Sequence, residues 1–288
     1  MTDFTIYTDS ACDIDNEILR EWGVKKKDLT FKFEDENREY NSDDMTPDAF
    51  YKEMKGGRVA KTSAVNMQTF YDAFEAELKE NRNVIYLGMA SGISNTPNAA
   101  KLAAEELKEK YPERKLYAID CYTASVGQGL IVYKAVLMKK EGKSIDEIAE
   151  YVENIKEKVN VWFIVDDLVY LKRGGRISAT AAFAGGVLQL KPLLRVDEEG
   201  KLETVSKVRG RSQSIKALSK KISEMTSDIS DLDYIIGQGD CLEEAESLDE
   251  MIKGQGGKGA KYITSITPVI GAHTGPGIMV LGFIGEHR

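Results

Sequence analysis

Apolar and polar positions alternate along short stretches of the chain and recur at helical spacing in the segments between them. Phe4 to Thr8 alternates and is rich in β-formers, and Asp9-Ser10 breaks it. Asp13 is placed to cap a helix from Ile14 to about Trp22, where Ile14, Ile18 and Leu19 share a face. Leu29 to Phe33 reads as a short strand, and Thr46-Pro47 as a cap and first turn opening a helix that stops at Gly56-Gly57. Phe70, Phe74 and Leu78 mark the next helix, Val84 to Met89 a buried strand, and Pro97 to about Lys110 an alanine-rich helix. Lys115 to Ile119 is a strand, Ser125 opens a helix to Glu141, and Ser144 with Glu147 forms a capping box. Strands alternating with helices predict right-handed βαβ units and a parallel sheet.

The pattern changes after about Lys158. Val161 to Val165 reads as a strand and Leu168 to Leu171 as a helical turn, followed by a small-residue helix from Thr180 to Leu188. Lys191 to Val196 and Leu202 to Val208 read as a hairpin across Asp197-Glu198-Glu199-Gly200. Helix 212–225, strand 234–237, helix 242–253, strand 262–266 and a closing strand 278–284 complete a second α/β layer. Between its last two strands, Val269 to Gly277 presents His273 on what reads as a tight turn of three glycines and a proline.

Composition narrows the function classes. The chain has 288 residues, 42% apolar and 30% charged, with a formal charge of −8. It has no long basic stripe to meet phosphates, which argues against nucleic acid. Lys25-Lys26-Lys27 reads as a solvated turn. Three isolated cysteines, without CxxC spacing, fit a reducing cytoplasm rather than a disulfide framework or zinc site. The start, Met1-Thr2-Asp3-Phe4, lacks the features of a signal peptide, and no apolar run reaches membrane-spanning length. A cytoplasmic protein without stable membrane insertion is expected, with no metal site and no cofactor.

The candidate chemistry lies in loops beyond strand ends, where open α/β sheets bind ligands. Asp9-Ser10, Thr62-Ser63 and Ser91 to Thr96 are hydroxyl-bearing, and Ser94 stands just before a helix, whose unpaired N–H groups favour an anion. Neutral hydroxyl donors suit a single carboxylate better than a triphosphate, and no Gly-Lys-Ser/Thr loop is present. Each serine or threonine taken alone reads more readily as a helix cap than as a ligand. Arg173 and Arg176 in the Gly-Gly loop are the cationic candidates, able to chelate a carboxylate or to sit solvated at a helix end. His273 reads as a donor or acceptor near neutral pH, or as a turn residue bonded to backbone. An enzymatic alternative, a small-molecule phosphotransferase or hydrolase, would use Asp9, Ser94 and His273.

Taken in order, Thr8-Asp9-Ser10, Lys61-Thr62-Ser63, Ser91-Gly92-Ile93-Ser94-Asn95-Thr96, Leu171 to Ser178, Lys191-Pro192 and His273-Thr274-Gly275-Pro276-Gly277 resemble the DegV family of bacterial fatty-acid-binding proteins. The resemblance spans nearly the whole chain. It implies a DegV-like α/β fold of two domains: a Rossmann-like parallel α/β/α sheet domain over residues 1–158 and a mixed-sheet α/β domain over 159–288. It further implies a long-chain fatty acid such as hexadecanoate, its carboxylate on Thr62 and Ser94 with Ser63 and Ser91 adjacent, and Arg176 and His273 in the same head-group site. Such a protein is a non-catalytic carrier. It presents the acid to a separate dihydroxyacetone-kinase-like fatty acid kinase, which makes an acyl phosphate for phospholipid synthesis. The chain departs from the family pattern beside that site: Asn95 stands for a glycine, Pro97-Asn98 for Tyr-Gln, and Ala64-Val65-Asn66 for Gln-Pro-Ser.

Overall fold

In a computed structural model that describes residues 3–178 and 190–288, alternation along the strands decides which side chains each sheet buries. The small-residue helix expected at Thr180 to Leu188 lies outside the described residues. Strands β1 (Phe4–Asp9), β2 (Val24–Lys27), β6 (Asn83–Gly88) and β7 (Leu116–Asp120) form a parallel sheet in the order β2-β1-β6-β7. Tyr7, Val84 and Tyr86 point to one side, onto Phe70 and Phe74 of α3 (Met67–Lys79) and the alanine face of α4 (Thr96–Lys110). Ile6, Ile85 and Leu87 point to the other, onto Leu130, Ile131 and Ile148 of α5 (Val126–Lys140) and α6 (Ile145–Ile155). A parallel sheet covered on both faces explains the near-continuous apolar run of β6. The capping box of Ser144 and Glu147 starts α6, and Thr46 caps α2 (Pro47–Lys55).

After Lys158 every strand among the described residues joins a second, mixed sheet. It comprises β8 (Val159–Ile164), β9 (Leu190–Val196), β10 (Leu202–Arg209), β11 (Tyr234–Gln238), β12 (Tyr262–Ser265) and β13 (Met279–Ile284), ordered β10-β9-β8-β13-β11-β12. The β9–β10 hairpin is antiparallel, as the turn chemistry of Asp197 to Gly200 predicts, and β11–β12 is parallel. Trp162, Ile164, Leu193 and Leu281 face α8 (Arg211–Met225) and α9 (Leu242–Lys253). Val161, Phe163, Val196 and Val280 face the other way and share one apolar cluster with Ile6, Ile85 and Leu130 of the first sheet and its helix. Helix α5 is packed closely there: a Cβ on Gly127 would lie 2.3 Å from Val161 Cγ2.

Three expectations are corrected. The lysine run is not a solvated turn but edge strand β2, registered on β1; Lys26 bonds Asn16 Oδ1 and Asp43 Oδ1, both at 2.7 Å, and Lys25 pairs with Glu77. Charged side chains on an edge strand keep it soluble while the backbone pairs. Asp13 does not cap a helix at Ile14; it takes a left-handed conformation at φ 47° and is buried, and α1 runs over Asn16–Glu21. The segment carrying Thr62 is not a loop. It is β5 (Ala60–Ser63), which pairs with β3 (Thr30–Phe33) and, through it, with β4 (Tyr40–Asn41) in a small antiparallel sheet. Its aromatic face, with Phe31 stacked on Tyr40 at 5.1 Å between ring centroids, replaces length as the source of stability.

Candidate functional site

A cavity of about 230 Å³ lies where these three sheets meet. Met89 and Ala124, beyond the carboxyl ends of β6 and β7, line it from the parallel sheet. Val161, Phe163, Val196, Leu202 and Val280 line it from the inward face of the mixed sheet, and Thr62 from β5. Val269, Ile270, His273 and Thr274 belong to α10 (Pro268–Thr274), which forms another wall. Thr267 and Pro268 start that helix and Gly275, at φ 77°, ends it. His273 therefore sits in a last helical turn, not in the tight turn its glycines suggest. Gly275 also lies flat on Tyr170 of α7 (Val169–Arg173), since a Cβ there would come within 2.4 Å of that ring.

The polar lining is sparse and connected. Thr62 Oγ1 is 2.8 Å from His273 Nε2. The other ring nitrogen, Nδ1, is buried without a partner among the described residues and packs on Gly174, where a Cβ would lie 2.1 Å away. Arg176 donates from Nη1 to the same Gly174 carbonyl at 2.6 Å and from Nε to the Ile93 carbonyl at 3.1 Å. Ser94, next to Ile93, is buried and lines the cavity; its Oγ accepts from Thr96 N at 3.2 Å. Thr62 and His273 thus touch directly, while Arg176 is bonded to Gly174, on which the His273 ring packs, and to Ile93, the neighbour of Ser94.

Burial sets the charges. Desolvation, reinforced by Arg176, holds His273 down to about 4, so the ring is neutral at physiological pH. Desolvation alone lowers Arg176 from its ordinary value, which leaves it charged. No carboxylate pairs with Arg176 among the described residues. Among the described residues the cavity therefore presents one uncompensated cation, a neutral imidazole and the Thr62 and Ser94 hydroxyls against a mainly aliphatic and aromatic wall. Such a set offers hydrogen bonds and one positive charge to an anion, and the burial of apolar surface to whatever that anion carries.

Other singled-out residues are elsewhere. Ser63 and Ser91 are exposed and outside the cavity lining; Ser63 follows Thr62 on a strand, so its side chain points the opposite way. Ser91 N donates to Asp120 Oδ2 at 3.1 Å. Arg173 is exposed and lies over the Tyr170 ring. Asp9 is fully buried behind the wall, accepting from Tyr86 Oη at 2.6 Å, Ala11 N at 3.0 Å and Met89 N at 3.1 Å. Asp9, Ser94 and His273 are therefore not brought to one place. The apolar wall from β8, β9, β10 and β13 was not found from sequence, because alternation says which residues share a face but not which face meets the other sheet. The Thr267-Pro268 pair, the same signature as Thr46-Pro47, was the available signal for α10.

The profile of the family described as "Uncharacterised protein, DegV family" matches residues 3–286. A DegV domain-containing protein of Clostridium perfringens is 40% identical over 291 residues, covering 100% of this chain and 99% of its own. Among solved structures, a DegV family protein from Thermus thermophilus, described by its fatty acid binding, superposes with a TM-score of 0.88 at 25% identity, covering 98% of this chain and 99% of its own. A stearic-acid-binding protein from Eubacterium ventriosum gives a TM-score of 0.88 at 25% identity, covering 98% of each chain.

Proposed function

Because the chain belongs to the DegV family, we propose that it binds one long-chain fatty acid, with the carboxylate on Arg176, His273, Thr62 and Ser94 and the tail along the apolar wall. One observation carries this reading: a half-buried guanidinium without a carboxylate partner among the described residues shares an apolar cavity with a neutral histidine and two hydroxyls. A tail of a dozen or more methylenes, each worth about 0.8 kcal/mol on burial, dominates affinity. The head-group donors offset the desolvation of the carboxylate and fix the direction in which the chain enters.

The cavity residues have no nucleotide-binding loop among them, and the solved structures this chain resembles are named for fatty-acid binding. On this reading the protein is a cytoplasmic bacterial carrier that presents its acid to a separate dihydroxyacetone-kinase-like subunit, for acyl-phosphate formation in phospholipid synthesis. It folds as two domains, residues 1–158 and 159–288. No helix of the described residues is long and apolar enough to cross a membrane, which suits a carrier exchanging ligand through water. Calorimetric titration with hexadecanoate tests the binding step: saturation at one acid per chain is expected, and absence of saturable binding overturns it. Adding the kinase and ATP tests the second step, with acyl phosphate expected only when both proteins are present.

A further inference from the structure

Behind the cavity wall, Asp13 is 1% exposed, and no ion pair reaches it among the described residues. Its two oxygens are nonetheless fully engaged. Oδ2 accepts from Ser125 Oγ at 2.6 Å. Oδ1 accepts from Thr267 N at 2.9 Å and Thr267 Oγ1 at 2.7 Å. A buried, unpaired carboxyl is costly and is tolerated only where fixed donors surround it. The donors here are informative. Ser125 lines the cavity and begins α5, while Thr267 begins α10, the helix that carries Val269, Ile270 and His273 into the cavity. Thr267 makes no cap of its own helix, because its hydroxyl is turned to Asp13. The backbone at Asp13 is itself left-handed, an unfavourable state for a non-glycine residue, which these contacts hold in place.

We infer that Asp13 is a positioning residue for the head-group subsite: by gripping the start of α10 it sets the depth and rotation of that helix, and so the place of the His273 ring against Thr62. The inference rests on the fatty-acid reading above. It assigns Asp13 no contact with the ligand. Burial pushes the carboxyl up to about 7, and the ionisable groups around it are Asp9 at the end of β1, Cys12 beside it in the chain and Tyr51 from α2. Either protonation state keeps Oδ1 as an acceptor for Thr267, so the grip does not depend on charge.

The test compares two ligands that share a tail. Hexadecanoic acid carries the carboxylate, and hexadecan-1-ol does not. In Asp13→Ala and in the milder Thr267→Val, affinity for the acid is expected to fall about tenfold or more, while affinity for the alcohol stays within about twofold. Asp13→Asn, which keeps the Oδ1 acceptor, is expected to restore binding of the acid. Equal loss of both ligands in the two variants would make the residue merely structural, and unchanged binding of both would remove its role; either result overturns the inference. If the wild-type chain binds neither ligand, the fatty-acid reading itself fails, a result distinct from both.

Discussion

At the scale of single residues, four side chains far apart in sequence converge on one cavity, and their types suit one anion. Thr62→Ala and Ser94→Ala are each expected to weaken fatty-acid binding by about 1–3 kcal/mol, the range for removing one partner of a buried polar group. Titration calorimetry reads this directly, and unchanged affinity in both would place the head group elsewhere. The histidine offers an independent check. Burial, with Arg176 adding to it, holds the ring at about 4 in the free protein, and a carboxylate bound beside it favours the imidazolium. Hexadecanoate should therefore raise the His273 pKa, observable by NMR because His287 is the only other histidine. Gly174 is the hidden member of the set: Gly174→Ala pushes a methyl into His273 Nδ1 and should reduce affinity for the acid. What sequence could not supply was orientation. Thr62 and Ser63 are adjacent and chemically alike, and only the strand period separates the one that faces the cavity from the one that faces water.

At the scale of elements, long periodic segments were legible and short ones were not. Helices α3, α4, α5 and α6 and strands β1 and β6 follow from apolar spacing and caps, because each buries a face long enough to repeat. Strands β2, β4 and β5 are two to four residues long, too short for alternation to register, and β2 is masked by three lysines. Helix α10 was hidden because Ala272 is the one strong helix former among its seven residues, which tertiary packing makes helical. Where α5 meets the mixed sheet the fit is tight enough to measure. Gly127→Ala places a methyl against Val161 and Thr123 Oγ1 and is expected to destabilise the fold by about 1–3 kcal/mol, read as a lower denaturation midpoint.

At the scale of the whole molecule, the sheets share an apolar cluster and a buried carboxyl, so stability depends on pH in a defined direction. Burial raises Asp13 to about 7, above its value of about 3.9 in the unfolded chain. Its contribution is fully present below about 3.9 and is lost as pH rises through 7. His273 runs the other way: its folded value of about 4 lies below about 6.5 when unfolded, so its contribution is present above 6.5 and lost as pH falls through 4. Asp13→Asn should therefore gain melting temperature relative to wild type between pH 5 and pH 8, and a constant difference would contradict the shift. That the first sheet is parallel was legible from alternating strands and helices. The placement of β13 between β8 and β11 was not, because antiparallel insertion is decided by contacts remote in sequence. The most direct test of the central claim is mass spectrometry of an organic extract of the purified native protein. A long-chain fatty acid near one equivalent per chain, reduced in an Arg176→Ala variant, is the predicted result; a wild-type extract without any acyl chain, from protein that also fails to take up added hexadecanoate, would contradict it.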